Sequence, residues 1–168
     1  GAFLVKSLVA VLLAGILVVI YIGIRFRRIG GFSAGVCAFA ALLHDIIISF
    51  FACAIFGLDI DTNFFAVALT LLGYSLNATI VIFDRIREDL RAKSGMSYAQ
   101  IINGSINQTL NRTLLTSITT MLAVAMLLIF GGAAISDFTL LMLLGVIIGT
   151  YSSVFIASPI VALWHRKV

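Results

Sequence analysis

Apolar residues along the chain form five long stretches that are separated by short polar turns. A bilayer core about 30 Å thick requires about 20 apolar residues in a helix, and each stretch is close to that length. The predicted spans are residues 7–24, 33–56, 63–83, 113–130 and 138–164. The pattern predicts an all-α, polytopic membrane helix bundle in which residues 1–168 form a single transmembrane domain.

Apart from Lys6, which precedes the first span, the basic residues are confined to alternate turns of this pattern. They follow the first, third and fifth spans: Arg25, Arg27, Arg28, Arg85, Arg87, Arg91, Lys93, Arg166 and Lys167. The turns after the second and fourth spans carry only Asp59, Asp61 and Asp137. Because basic loops stay in the cytoplasm, we expect the N-terminus of this chain outside and its C-terminus inside. An outside N-terminus without a signal peptide also leads us to expect a fragment of a longer protein with an upstream span.

The segment 84–112 is the main polar interruption, and the basic count assigns it to the cytoplasmic side. It begins with a charged run and continues past Gly95 as a predicted short amphipathic helix. Ser97 is its expected N-cap, with Gln100 three residues later as in a capping box. Four apolar residues supply its buried side: Ile101, Ile102, Ile106 and Leu110. We expect this helix in addition to the five spans.

Composition supports a membrane protein and excludes a soluble domain. Of the 168 residues, 62% are hydrophobic and 11% are charged, whereas an average soluble domain has about 25% charged residues. The formal net charge of +4 comes from clusters between apolar stretches, which is typical of membrane loops. We therefore expect these charges to lie at the surface of a lipid bilayer and predict no nucleic-acid partner.

One carboxylate, Asp45, lies near the middle of the second span. A charge at that depth costs about 2.5–3.5 kcal/mol. Helical spacing puts it on a stripe of small residues: Ala34, Ala38, Ala41, Ser49 and Ala52. Small residues allow helices to approach closely, so Asp45 is expected to lie inside the bundle. It is either a proton-binding group or a hydrogen-bonded Asp that fixes a helix contact, and His44 beside it is either a relay or a hydrogen-bond donor.

Polar side chains also recur at helical spacing on the third and fourth spans. The third carries Thr70, Tyr74, Asn77 and Asp84, and the fourth carries Thr113, Thr116, Ser117 and Thr120 directly after Arg112. Hydroxyl groups can carry water or bond neighbouring helices, and Arg112 can extend to the membrane surface. We interpret the stripes together as one polar seam inside the bundle, with plain helix–helix hydrogen bonding as the alternative.

The fifth span carries a small-xxx-small contact, Gly145 and Gly149, which together with Ala38 and Ala41 predicts close helix packing. Pro159 is expected to kink or loosen the last turns. The sequence contains no nucleophile elbow, nucleotide-binding loop or metal-ligand motif. We therefore predict no catalytic residues, no metal site and no enzymatic activity.

Four segments carry a resemblance to a known family. They are 73–88, GYSLNATIVIFDRIRE; 105–113, SINQTLNRT; 149–159, GTYSSVFIASP; and 43–45, LHD. The first includes the charged signature Asp84, Arg85, Arg87 and Glu88. The chain resembles the SecF family, the smaller membrane subunits of the bacterial SecD–SecF protein-export complex, within the resistance–nodulation–division superfamily.

The resemblance implies an auxiliary subunit of the Sec translocon in the bacterial plasma membrane. Its implied partners are a SecD subunit or half, the Sec channel with accessory subunits, and unfolded preproteins. It further implies an ion gradient as the energy source, with H⁺ or alternatively Na⁺ transported and no cofactor.

Two positions of the family motif bear directly on that ion relay. The family often has an Asp where this chain has Ala78, and its functional Arg matches Arg112. The expected relay residues here are Asp45, Arg112, Asn77 and His44. Because Ala78 cannot bind a proton, either the relay runs through a SecD carboxylate that Asp45, Asn77 and Arg112 arrange, or this chain couples differently. Two alternatives are a non-transporting scaffold and an exporter of lipids or small amphiphiles.

Overall fold

The computed structural model describes residues 2–92 and 95–165, and the described residues are helical apart from short turns. The helices are α1 (Ala2–Arg25), α2 (Phe32–Phe56), α3 (Thr62–Ala92), α4 (Tyr98–Phe130), α5 (Ser136–Ser152) and α6 (Ser158–His165). A π-helical turn, Ser153–Ala157, joins α5 to α6 without a break. Among the described residues, five helical segments are long and apolar enough to cross a membrane. The fifth of them contains α5, the π-helical turn and α6. The predicted all-α membrane bundle is confirmed.

The amphipathic segment and the fourth span form a single helix, α4, where the sequence predicted two. The capping box at its start is confirmed, since the Gln100 N–H donates to the Ser97 hydroxyl and the Gln100 side chain accepts from the Ser97 N–H. No proline interrupts residues 98–130, so the helix continues across the polarity change near Arg112. For the same reason α3 runs on to Ala92, past its predicted end at Phe83.

The segment containing α5 occupies the centre of the bundle. It packs against α2, α3 and α4, whereas α1 packs chiefly on α2. Close approach depends on small residues: a Cβ on Gly145 would overlap the side chain of Leu71, and one on Gly149 would lie 3.4 Å from the Ser75 Cβ. The small stripe of α2 is buried as expected, including Ala38 and Ala41.

One end of the bundle carries the basic residues, and we call it the basic end. There the end of α1 meets α3, with the Asp84 carboxylate 3.4 Å from Arg25 and 3.2 Å from Arg87. Both guanidinium groups lie over the ring of Phe26, which is fully buried. Lys93, Arg166 and Lys167, also expected at this end, lie outside the described residues.

The helix widens just before Pro159, where the sequence predicted a kink or loosening. Residues 153–157 adopt π-helical hydrogen bonding, in which each N–H bonds five residues back. The Ser158 hydroxyl donates to the Ser153 carbonyl at 3.1 Å, across the same five-residue interval. Pro159 has no N–H and cannot donate to a carbonyl of the preceding turn. The Ser158 hydroxyl provides a hydrogen bond to one carbonyl of that turn, that of Ser153.

Candidate functional site

The carboxylate of Asp45 is enclosed by hydroxyl groups from two other helices. Its Oδ2 accepts hydrogen bonds of 2.8 Å from Ser75 on α3 and of 2.8 Å from Ser152 on α5. All three side chains are at most 2% exposed. The expectation that Asp45 lies inside the bundle is confirmed, and the carboxylate links three helices at one point.

Further buried hydroxyls extend this cluster toward the π-helical turn. Ser153 lies 2.7 Å from the Gly149 carbonyl and 3.2 Å from the Ser75 carbonyl, and it accepts from Thr79 at 3.3 Å. We call Asp45, Ser75, Thr79, Ser152 and Ser153 the Asp45 cluster. Because these hydrogen bonds are enclosed, a change in charge on Asp45 must alter bonds on α3 and α5.

His44 contacts the other carboxylate oxygen. Its Nδ1 lies 3.2 Å from Asp45 Oδ1, and its side chain is 31% exposed. It therefore bonds within its own helix and not to a neighbouring helix. This position joins an enclosed carboxylate to a partly exposed imidazole, which is a geometry that allows a proton to pass between the cluster and the surface of this chain.

A second polar site is an open groove between α3 and α4. It has a volume of about 340 Å³ and is lined by Tyr74, Asn77, Ala78, Val81, Arg112, Thr113, Thr116, Thr119 and Thr120. We call it the Arg112 groove. At its back the hydroxyl of Tyr74 donates to Ser117, which also accepts from Thr150 of α5 at 2.7 Å. In the part of the chain that the structure describes, no carboxylate forms an ion pair with Arg112.

The residues of the predicted polar seam differ in burial. Thr113 and Ser117 are buried and Tyr74 is half-buried, whereas Asn77, Arg112 and Thr116 are exposed on the surface of this chain. Thr70 is also exposed, and its hydroxyl bonds the Ala66 carbonyl of its own helix. No hydrogen bond or ion pair among the described residues joins Asp45 to Arg112 or Asn77, which line the Arg112 groove, whereas His44 contacts the Asp45 carboxylate directly.

The charged signature after the third span has a packing role at the basic end. Arg85 bonds Gln108 of α4 at 2.8 Å and lies 3.0 Å from Glu88 and 3.6 Å from Asp89. Asp89 is buried and accepts from Ser105 of α4 at 2.9 Å. Together with the Asp84 ion pairs, these contacts fix α3 against both α1 and α4.

Sequence reasoning missed Ser75 and Ser152 as neighbours of Asp45. Every predicted span carries at least one serine or threonine, and such a hydroxyl can bond a carbonyl of its own helix, as Thr116 and Thr120 do here. One signal was available: Gly145, Gly149, Ser152 and Ser153 follow helical spacing, which marks a small buried face. Among the described residues no group of three His, Cys, Asp or Glu side chains could hold a metal ion.

The sequence matches a known protein family over nearly its whole length. The family model described as "Protein export membrane protein SecD/SecF, C-terminal" matches residues 1–167. The chain belongs to the SecD/SecF C-terminal family. The resemblance stated from the sequence motifs is confirmed by this match.

Curated relatives carry the name "Protein translocase subunit SecF". That of Sebaldella termitidis is 45% identical over 162 residues, covering 96% of this chain and 51% of the relative. That of Borreliella burgdorferi is 41% identical over 164 residues, covering 98% of this chain and 54% of the relative. The chain therefore spans about half the length of these SecF relatives.

A solved structure has the same fold. It is the crystal structure of SecDF from Thermus thermophilus, described as a translocon-associated membrane protein. The TM-score is 0.88 at 38% identity, with 95% of this chain and 22% of the SecDF chain covered. The five-span bundle is therefore the fold of a membrane region within SecDF.

Proposed function

We propose that this chain is the membrane part of a SecF-type subunit that assists the Sec translocon in exporting preproteins. Membership of the SecD/SecF family and the names of its relatives support this role. The basic end would face the cytoplasm of a bacterial plasma membrane, because basic loops are retained there.

The observation that carries an ion-driven mechanism is the enclosed carboxylate of Asp45. Intramembrane ionisable groups at helix contacts mark ion or proton paths by default. One elementary charge crossing 100 mV releases about 2.3 kcal/mol, so several charges per cycle suffice to drive a domain movement. Asp45 would bind and release the ion, H⁺ or alternatively Na⁺, and His44 would connect it to the surface of the chain.

The Arg112 groove supports a SecD subunit or half as the partner. Its cation and amide are exposed on the surface of this chain, and the Thr113 hydroxyl is buried without a hydrogen-bond partner among the described residues. A partner helix with a carboxylate would pair with Arg112 and cover the polar surface. Ala78 lines the same groove, so the carboxylate of this site would have to come from the partner.

The test is preprotein export into inverted membrane vesicles with and without an ion gradient, using the full-length protein with its partner. Asp45→Asn and Arg112→Ala are expected to remove the stimulation by the gradient while SecD still co-purifies. Asp137→Asn and Arg91→Ala, which change exposed charges of the same type, are the matched controls. Full stimulation in both test variants would refute the ion-driven mechanism.

A scaffold is the second candidate, and one observation favours it. The Asp45 carboxylate accepts hydrogen bonds from α3 and α5, an arrangement that would hold three helices together without any ion movement. A scaffold predicts that Asp45→Asn reduces the yield of the SecD complex in proportion to any loss of export. Normal complex yield combined with lost stimulation would rule the scaffold out.

A further inference from the structure

We propose that Ser152 is a positioning residue whose hydroxyl connects the charge state of Asp45 to the π-helical turn Ser153–Ala157. This inference rests on the proposed function, because it takes Asp45 as the group that gains and loses charge. It goes beyond that function by naming how a change at Asp45 reaches another part of the fold. We call this arrangement the Ser152 switch.

The Ser152 hydroxyl has two acceptors within reach. It lies 2.8 Å from Asp45 Oδ2 on α2 and 3.2 Å from the Gly149 carbonyl on its own helix. A serine hydroxyl carries one hydrogen and can donate to only one acceptor at a time. A charged carboxylate is the stronger acceptor, since charge-assisted hydrogen bonds are roughly twice as strong as neutral ones.

Neutralising Asp45 would therefore change the choice of acceptor. When a proton or cation cancels the carboxylate charge, the advantage of Oδ2 over the Gly149 carbonyl falls. The Ser152 hydroxyl can then turn back to its own helix and release α2. In both arrangements the Ser152 hydroxyl hydrogen has an acceptor, so the exchange does not leave that donor unpaired.

The π-helical turn begins at the next residue. Ser153 has the same kind of choice, with the Ser75 carbonyl of α3 at 3.2 Å and the Gly149 carbonyl at 2.7 Å. Ser75 also donates to Asp45. Both serines that bond the carboxylate, Ser75 and Ser152, are therefore connected to Ser153, the first residue of the turn. π-helical turns are rare and occur mostly as single turns at functional sites.

Movement of this turn would be transmitted to the basic end. Val154 and Ala157 lie in the same buried cluster as Phe26, Ile82 and Val161. If the hydrogen bond from Ser152 to Asp45 of α2 is lost, we expect the π-helical turn to rearrange toward α-helical hydrogen bonding. That rearrangement would displace α6 against α1 and α2.

Only a few groups could make this displacement depend on pH. His44 lies against Asp45 from their own helix, while α3 and α5 present the hydroxyls of Ser75 and Ser152. Among the described residues that contact the carboxylate, His44 is thus the second titratable group. A test must separate its titration from that of Asp45.

The experiment measures the distance between spin labels on α1 and α6 in the full-length protein with its partner in liposomes. Ile24→Cys and Leu163→Cys give labelling positions that are 63% and 61% exposed, and the native Cys37 and Cys53 are buried. Distances are recorded between pH 5 and 9, a range chosen to cover the titration of imidazole and of perturbed carboxyl groups.

The expected result is a pH-dependent shift in the unaltered protein that is lost in Asp45→Asn and in Ser152→Ala but kept in His44→Gln. The matched control is Ser49→Ala, which removes another buried hydroxyl near Asp45. That hydroxyl donates to the Asp45 main-chain carbonyl and not to the carboxylate, so the shift should persist. As a second variant, Ser158→Ala removes the hydroxyl that is bonded to the Ser153 carbonyl. In this variant the distance between the two labels should be the same at every pH.

Three results would overturn the Ser152 switch: no shift in the unaltered protein, a normal shift in Ser152→Ala, or a shift that survives Asp45→Asn and disappears in His44→Gln. If Ser152→Ala does not fold, a normal shift in Ser158→Ala has the same consequence. The proposed function is tested by a separate measurement, export into vesicles. Gradient-stimulated export that persists in Asp45→Asn would refute it. Export could thus be ion-driven while the label distance stays constant, and the two failures are distinguishable.

Discussion

Glycines on the helices differ in the space that surrounds them, and this difference determines the effect of a single added methyl group. A Cβ on Gly145 would overlap Leu71, whose side chain is 2% exposed and has no open space to move into. A Cβ on Gly73 would have no heavy atom within 4 Å. The same substitution is therefore expected to act in opposite directions at the two positions.

We predict that Gly145→Ala destabilises the bundle by about 1–3 kcal/mol through overpacking. Gly73→Ala should stabilise it by about 0.5–1 kcal/mol, because alanine is the better helix former. Thermal unfolding of the purified full-length protein in detergent measures both. Equal shifts of the unfolding temperature in the two variants would contradict the close contact between α3 and α5.

At the scale of elements, the buried Asp89 fixes α3 to α4. Its carboxylate accepts from Ser105 at 2.9 Å and lies 3.6 Å from an Arg85 nitrogen. The adjacent Glu88 also contacts Arg85, but its side chain is 61% exposed. Burial makes the first interaction the more costly one to remove.

We predict that Asp89→Ala lowers the free energy of unfolding by about 1–3 kcal/mol, because it removes a buried charged acceptor that bonds Ser105 and pairs with Arg85. The Ser105 hydroxyl keeps only the Ile101 carbonyl of its own helix as an acceptor. Glu88→Ala, the neighbouring control, should cost less than about 1 kcal/mol, as is usual for exposed ion pairs. Denaturant unfolding in mixed micelles measures the difference. A larger loss in Glu88→Ala would show that the α3–α4 contact does not depend on the buried carboxylate.

For the whole molecule, the distribution of basic residues predicts the orientation in the membrane. Cysteines introduced at Asp59, in the turn after α2, or at Asp137, in the first turn of α5, should react with an impermeant reagent added to intact cells, since both residues are exposed opposite the basic end. A cysteine at the exposed Arg91 should react only after the membrane is opened, because basic loops face the cytoplasm. Labelling with the reverse pattern would overturn the proposed orientation.

The Arg112 groove leads to a prediction for the assembled complex. Ala78 lines the groove beside Arg112, and the resembling family often has Asp at that position. Ala78→Asp should therefore be accommodated next to the guanidinium group and should change the pH or ion dependence of export. Loss of the SecD complex in this variant, with Ala78→Ser assembling normally, would show that the groove does not accept a carboxylate.

The class of the protein, the five spans and the inward position of Asp45 could all be predicted from the amino-acid sequence. These follow from local physics: a bilayer sets the length of an apolar helix, and a 3.6-residue period sets which side chains share a face. The capping box at Ser97 was predictable for the same reason, because its hydrogen bonds lie within one helical turn. The sequence motifs also indicated the SecD/SecF family, and the match to the family model confirmed it.

Only the tertiary structure decided which polar groups meet. A stripe on one helix indicates an inward face but not which neighbouring helix it contacts, so Ser75 and Ser152 could not be assigned to Asp45. Arg112 and Asn77 were expected in the same relay as Asp45, yet they lie in a separate open groove. Hydroxyl groups can bond their own backbone or another helix at similar energy, and the close approach of α5 to α2 and α3 at Gly149 determines that choice at the Asp45 cluster.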